Sequence, residues 1–582
     1  MKKSKNFLFV LFVSVLLPAV FLLSACNYSG SGNVQTPANV RIVNDSLLGW
    51  VLQWNPSSPT AQYDVEIRNT NTNETSILRI AGTIFHTNLI GAIETEILYE
   101  LRVSAVINLP ADRTYFSDHV YFGIPSPYKI PAELVALNGN TLSQTALPSG
   151  WTWNSPQILL DEPGSRNFYA TYQRAGGWIP LRLSCVVSVQ PRFEYISAGQ
   201  THSIALDCRG QIWTWGNGGN GRLGHGTENS ALAPRRIESG YNDVALPTFL
   251  SVSAGDTHSM ALDTSGNIWT WGNGAHGKLG HDSTISFTRP RQITTGVGVI
   301  ELPAFTEIDA GDEHNIAVCI NGQVWTWGRN NNSALGQGTA TNINEYRPRR
   351  ILGVVGLSGI QQVSAGNTFS MALDGQNRIW TWGWGGQGGL GHGESFIVEN
   401  RPRLIEQVFL YSSGTVTMTA PAFVSISAGL HFAIALCLSG EIWSWGQGTE
   451  GQLGHRRFIN EYRPRRISPF SNAMPIGNIS AGGGFSMSLN QFEARNWVYT
   501  WGLASDGRLG QGETSNVNFP SWHSGLNNIQ VISAGGAFGM ALDANGQIWT
   551  WGSNAQGQLG HGDLTQRNYP VRIVNQFLFM ED

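Results

Sequence analysis

Cysteine and charge are both scarce in this sequence. Five cysteines occur among 582 residues, and only 13% of the chain is Asp, Glu, Lys or Arg. So few thiols exclude an extensive disulfide framework, and their positions, Cys26, Cys185, Cys208, Cys319 and Cys437, have no metal-type spacing. Only Cys185 and Cys208 are near enough in sequence to pair. A formal net charge of -4 argues against nucleic acid as a partner. Catalytic signatures are missing too: there is no nucleophile elbow, no Gly-rich phosphate loop, no His-Glu-x-x-His and no pair of carboxylates in one loop. The sequence therefore points to no catalytic residue, no metal and no cofactor.

Glycine (69) and tryptophan (21) are abundant, as in short, well-packed strands joined by tight turns. The first residues follow the order of a secretory signal: Lys2, Lys3 and Lys5, an apolar run from Phe7 to Leu23, then Leu23-Ser24-Ala25-Cys26. The run is close to the lower limit for spanning a bilayer, but Pro18 interrupts it and small residues precede Cys26. Leu-Ser-Ala-Cys resembles a bacterial lipobox, which implies removal of residues 1–25, lipidation of Cys26 and a membrane anchor there. That cleavage would take the net charge from -4 to -7. Residues 26–36 are small and polar, as a flexible tether should be.

Residues 37–125 alternate apolar and polar positions in short runs, the pattern of a half-buried antiparallel sandwich. Leu52-Gln53-Trp54, Tyr63-Asp64-Val65-Glu66-Ile67 and Tyr99 to Val106 resemble the fibronectin type III pattern, with Trp54 as the implied core tryptophan. Residues 127–190, with Trp151-Thr152-Trp153 and Phe168-Tyr169-Ala170, are similar to a small β-module of bacterial surface proteins.

From residue 191 to 582 the sequence repeats. A Ser/Asp-Ala-Gly triplet recurs seven times, with its glycine at 199, 255, 311, 366, 429, 482 and 535, at intervals of 56, 56, 55, 63, 53 and 53. Each triplet is followed by a strand, an Asp-x-x-Gly-like turn, an aromatic-x-Trp-Gly segment, a Leu-Gly-His/Gln loop and a proline-led strand. One repeat is one four-stranded blade. Small residues suit the crowded innermost strand, and Asp207, Asp263 and Asp543 suit turns. Paired rings such as Trp213 and Trp215 share one strand face and can fill the gap between blades. The proline and arginine of Pro234-Arg235-Arg236-Ile237 and its echoes suit a protected outer edge, with a basic rim for anionic ligands as the alternative.

These motifs resemble the regulator of chromosome condensation repeat over about 385 residues. The resemblance implies an all-β chain: a seven-bladed β-propeller preceded by a fibronectin type III-like β-sandwich and a small β-module. That family includes a nuclear exchange factor, plant ultraviolet receptors and a secreted bacterial inhibitor of β-lactamases, and an exported acidic chain is nearest the last. The expectation is a cell-envelope lipoprotein whose propeller binds an extracytoplasmic protein or glycan. The alternative is a quinone-cofactor dehydrogenase, since Ala541 to Trp549 is superficially like the tryptophan-docking repeat of those enzymes, although their repeats lack the Leu-Gly-His loop.

Three sets of residues are candidates for function. His225, His281, His392, His455 and His561, with Gln337 and Gln511 in the other blades, share a loop position too spread out for one metal, where turn hydrogen bonding is expected. His202, His258 and His314 share a second position with Phe369, Phe432, Phe485 and Phe538, which borders either the central opening or the interior. Partner specificity is expected where blades differ most: Trp384, and the insertion behind the 63-residue interval with Phe409 and Tyr411.

Overall fold

The structure is a computed structural model. It describes backbone strands between residues 38 and 137, most of 140–190, and residues 191–574 except 299, 339–342, 396, 410–416, 469–475, 493–494, 513 and 524. Residues 1–36 with Cys26, all of Tyr411, and the side chains of Trp54, Tyr99 and Cys185 lie outside the described residues. The helical elements among the described residues are three-residue 3-10 turns, and none is long and apolar enough to cross a membrane.

The chain divides into two compact units, 1–190 and 191–582. In the first, Ala38–Asp45, Gly49–Asn55 and His86–Asn88 form one antiparallel sheet, and Thr75–Ile80, Gln62–Asn69 and Tyr99–Val106 the spine of another. A further four-stranded sheet joins Trp151–Trp153, Gly164–Tyr172 and Leu181–Gln190, and adds Glu133–Leu137 in parallel. Trp151 and Trp153 alternate inward with Thr152 outward, so both indoles reach a core with Leu142, Leu160, Phe168 and Val189.

The second unit is a seven-bladed propeller. Blade one is Phe193–Ala198, His202–Asp207, Ile212–Gly216 and Ala231–Arg236, each strand antiparallel to the next. Alternation decides which neighbour each face meets. Trp213 and Trp215 pack on Phe538, Met540 and Leu542 of blade seven. Ile204, Leu206 and Ile212 face Phe249, Val252, Trp269 and Trp271 of blade two. No blade can bury both faces alone, so the fold requires the ring.

The turn aspartates also orient the ring pairs. Asp207 Oδ1 accepts the Arg209 and Gln211 amides at 3.0 Å, while Oδ2 accepts Trp213 Nε1–H at 3.0 Å. Asp263, Asp374 and Asp543 hold Trp269, Trp380 and Trp549 in the same way. Blades three and five have Cys319 and Cys437 there, both buried free thiols, and the buried Nε1 atoms of Trp325 and Trp443 have no acceptor. Cys208 is also a free thiol.

The insertion before blade five does not form a plain loop. Gln407–Phe409 and Thr417–Thr419 pair with each other, and Phe409 aligns with Arg465, which extends blade five to six strands. An exposed sheet edge supplies unpaired backbone groups, and this segment satisfies them. Val408 is fully buried there.

Candidate functional site: the mouth of the axial channel

The propeller axis is built from three rings, each closing between blade seven and blade one. In the first, the Ala amide of each inner strand donates to the Ser Oγ of the preceding blade at 2.8–3.1 Å, with Asp309 Oδ2 in the serine's place once. In the second, an indole Nε1–H of each blade donates to a carbonyl of the preceding blade at 2.8–3.0 Å, from Trp215 to Gln558 O round to Trp551 to Arg508 O. In the third, the axial glycines approach one another. A Cβ on Gly199 would stand 2.6 Å from Gly255 O, and one on Gly535 2.7 Å from Gly199 O, distances only glycine tolerates. The cavity inside measures about 160 Å³. Cofactor pockets occupy roughly 300–1,000 Å³, so this one suits waters or a single side chain.

Polar substitutions are concentrated in blades one to three. Asp309 Oδ1 accepts from Ser253 Oγ at 2.8 Å, and Oδ2 from Ser364 Oγ at 3.2 Å, so one carboxyl ties three blades together. Burial raises its pKa. Burial also pushes Glu307 up to about 8, with a backbone hydrogen bond at Val363 opposing and the charge of Asp309 adding.

The mouth lies where the first and second strands join. The residue after the axial glycine is Gln200, Asp256, Asp312, Asn367, Leu430, Gly483 or Gly536, so charge appears in blades two and three alone. Lys278 reaches in from the Gly-x-Leu-Gly loop. Its side chain is fully buried, 2.9 Å from Glu313 Oε2 and 3.1 Å from Thr257 Oγ1. Arg222 donates to Asp256 O and Thr201 Oγ1, and Arg508 to Gly536 O. Burial, with Asp256 and Glu313 adding and Lys278 opposing, brings Asp312 up to about 7. Aligning the repeats at the two positions flanking the mouth would have singled out Arg222, Lys278, Arg508, Asp256 and Asp312 from sequence, because charge there breaks a small or neutral pattern.

His202, His258 and His314 are buried, and the loop histidines are partly or wholly so. His202 Nε2 meets Ser259 Oγ at 2.9 Å, His258 Nε2 meets Asn315 Oδ1 at 2.6 Å and His314 Nε2 meets Ser370 Oγ at 2.8 Å, each on the following blade. Burial holds His258 at about 3 and His314 at about 4, so they are neutral packing residues beside the four phenylalanines. The loop histidines bind a hydroxyl of their own third strand, as His225 does Thr214 at 2.9 Å, and Gln337 and Gln511 do the same at 2.8 Å. The outer-strand arginines are engaged as well: Arg236 with Glu238, Arg403 with Glu399, Arg465 with Glu461, and Arg466 with Glu441. Those contacts match edge protection rather than a free basic rim.

Trp384 stands at the mouth end of blade four. It extends the third strand by one residue, pairs with Val398, and packs edge-on against His431 of blade five with centroids 5.7 Å apart. Blades one and two carry Asn217 and Asn273 there, whose Oδ1 atoms cap the following turn. Phe409, aligned with Arg465 near the far end of an outer strand, is not brought together with Trp384.

Seven blades closed by these rings define a repeat-built β-propeller with a uniform axis and a variable mouth. The chain belongs to the RCC1-like domain family. That family's model matches residues 250–581, and models of the regulator of chromosome condensation (RCC1) repeat match 209–262 and 193–222. It is similar to the ultraviolet-B receptor UVR8 of Arabidopsis thaliana, 30% identical over 403 residues that cover 60% of this chain and 84% of the receptor. It is also similar to the human E3 ubiquitin-protein ligase HERC2, 28% identical over 324 residues, which are 54% of this chain but only 6% of the ligase. Among solved structures, yeast RCC1 (Prp20) bound to Kap60 matches with a TM-score of 0.54 at 22% identity, covering 66% of this chain and 85% of that one. Human WBSCR16 matches with a TM-score of 0.52 at 20% identity, covering 62% and 94%. At such identities the two structures establish the fold alone.

Proposed function

We propose that this chain is a lipid-anchored, extracytoplasmic binding protein whose propeller holds a protein partner without catalysing a reaction. Cys26 is the lipid attachment site, 26–36 the tether, 37–125 a fibronectin type III-like spacer, 127–190 a small surface module and 191–582 the head. One observation carries the binding reading: side chains along the axis are nearly uniform, whereas those at the mouth differ from blade to blade and include a fully buried Lys278 paired with Glu313. Fixed charges on a rigid scaffold favour specific recognition over chemistry. The similarity to UVR8 agrees with this, since UVR8 is a receptor. The partner meets the mouth end of blades one to four, with Trp384 at its rim. A photo-crosslinking residue at position 384 of the full chain, in envelopes of cells that make it, should capture one discrete protein. Capture from position 571 on the outer strand of blade seven and none from 384 would overturn the proposal.

A further inference from the structure

Blade six breaks a rule that four other blades keep. Near the end of each outer strand an arginine reaches a polar residue at the start of the third strand. Arg236 donates to Gln211 at 3.3 Å, Arg350 to Gln323 at 3.1 Å and Arg572 to Gln547 at 2.8 Å, and Arg466 pairs with Glu441. Blade six has two tryptophans instead. Trp522 ends the strand Val517–Trp522 opposite Tyr499, and Trp497 lies in Arg495–Gly502 opposite Asn490. Their rings stack at 5.8 Å between centroids with planes 31° apart, and Trp522 remains 56% exposed. Here the second strand also runs two residues further, to Phe492, and the third begins three residues earlier, at Arg495, so their pairing continues beyond that of the other blades.

We propose that Trp522, braced by Trp497, is a carbohydrate-binding platform, on the end of the propeller opposite the axial mouth. Packing does not require these indoles, because the same position elsewhere is filled by a hydrogen-bonded polar pair. The area of the patch decides what it can hold. A tryptophan contributes roughly 150–250 Å², and a protein partner needs about 800 Å² per side. The next aromatic along the strand, Phe519, lies under the Arg456 guanidinium at 5.1 Å, so on that side a cation covers part of the neighbouring ring. One exposed indole face instead matches a single pyranose ring. The axial C–H bonds of a sugar carry partial positive charge and attract the negative face of the π system, while its hydroxyls stay in water. A neutral hexopyranose chain is thus the class of ligand that fits.

Calorimetric titration of the full chain with cellohexaose and with chitohexaose tests the proposal. At least one should bind, and the double variant Trp497→Gln/Trp522→Arg should lose at least tenfold in affinity. That variant installs the bridge of blades one, three and seven, so its unfolding midpoint should match the wild type, and Trp522→Phe should keep part of the binding. Absence of binding of either sugar to the wild-type chain, or equal binding by the double variant, would overturn the platform.

Discussion

The amide of Ala198 in the first blade donates to Ser533 Oγ in the last at 2.9 Å, joining the two ends of the repeat array. Gly536 N–H to Gly199 O at 3.1 Å and Trp215 Nε1–H to Gln558 O at 2.8 Å cross the same seam. Phe538, Met540 and Leu542 fill it against Trp213 and Trp215.

Deleting residues 530–582 therefore exposes the outward face of blade six and the tryptophan face of blade one together. The shortened chain should aggregate and lose the sharp unfolding transition of the full propeller. A soluble, cooperatively unfolding product in urea would show that closure is dispensable.

Cys319→Asp should stabilise the propeller. The turn at Cys319 has the backbone bonds of its counterparts, with Gly322 N–H donating to Cys319 O, and Trp325 Nε1 is buried without an acceptor. Supplying the missing carboxylate should add about 1 kcal/mol, the net worth of a buried hydrogen bond, seen as a higher urea midpoint. The converse change, Asp263→Ala, should cost about 1–3 kcal/mol by orphaning the Trp269 indole.

Glu307 makes a pH-dependent contribution of known sign. Its carboxyl has an ordinary pKa of 4.5 and about 8 in the folded chain, so the folded state binds the extra proton between those values and stability falls as pH rises through them. Glu307→Gln cannot ionise. Apart from a constant offset, its stability relative to the wild type should grow between pH 4.5 and 8 and then level off. A flat difference in thermal melts across that range would show that Glu307 is not held neutral.

For the proposed partner site, Trp384→Ala should weaken binding by about 2 kcal/mol, the loss typical of a truncated aromatic anchor. Its half-buried ring packs on His431 and over Gly386 rather than in the core between blades, so the melting temperature should hardly move. Surface plasmon resonance with the captured partner, beside calorimetry of both proteins, separates lost contact from lost fold.

Cys26→Ala should abolish lipid attachment, since the resemblance to a lipobox offers that thiol alone. Metabolic labelling with a tagged fatty acid and detergent-phase partition should both become negative. A mutant that still partitions into detergent would place the anchor elsewhere.

Repetition made the propeller legible from sequence. Seven glycines at nearly constant intervals, with paired rings and turn residues at fixed offsets, specify strand order, blade count and which face of each strand is buried, because alternation along a strand is a local property. Sequence also suggested the interchange of His225 with Gln337 and Gln511 in the loop, since either side chain can hold the same hydroxyl. Other features are not local. Whether His202 faced the opening or the interior depended on Ser259, 57 positions away on the next blade. The insertion near Phe409 became a strand because blade five offered it a free edge. The separation of Trp384 from Phe409, and the meeting of Trp497 with Trp522, follow from strand direction and register, which neighbouring strands settle together and no single segment encodes.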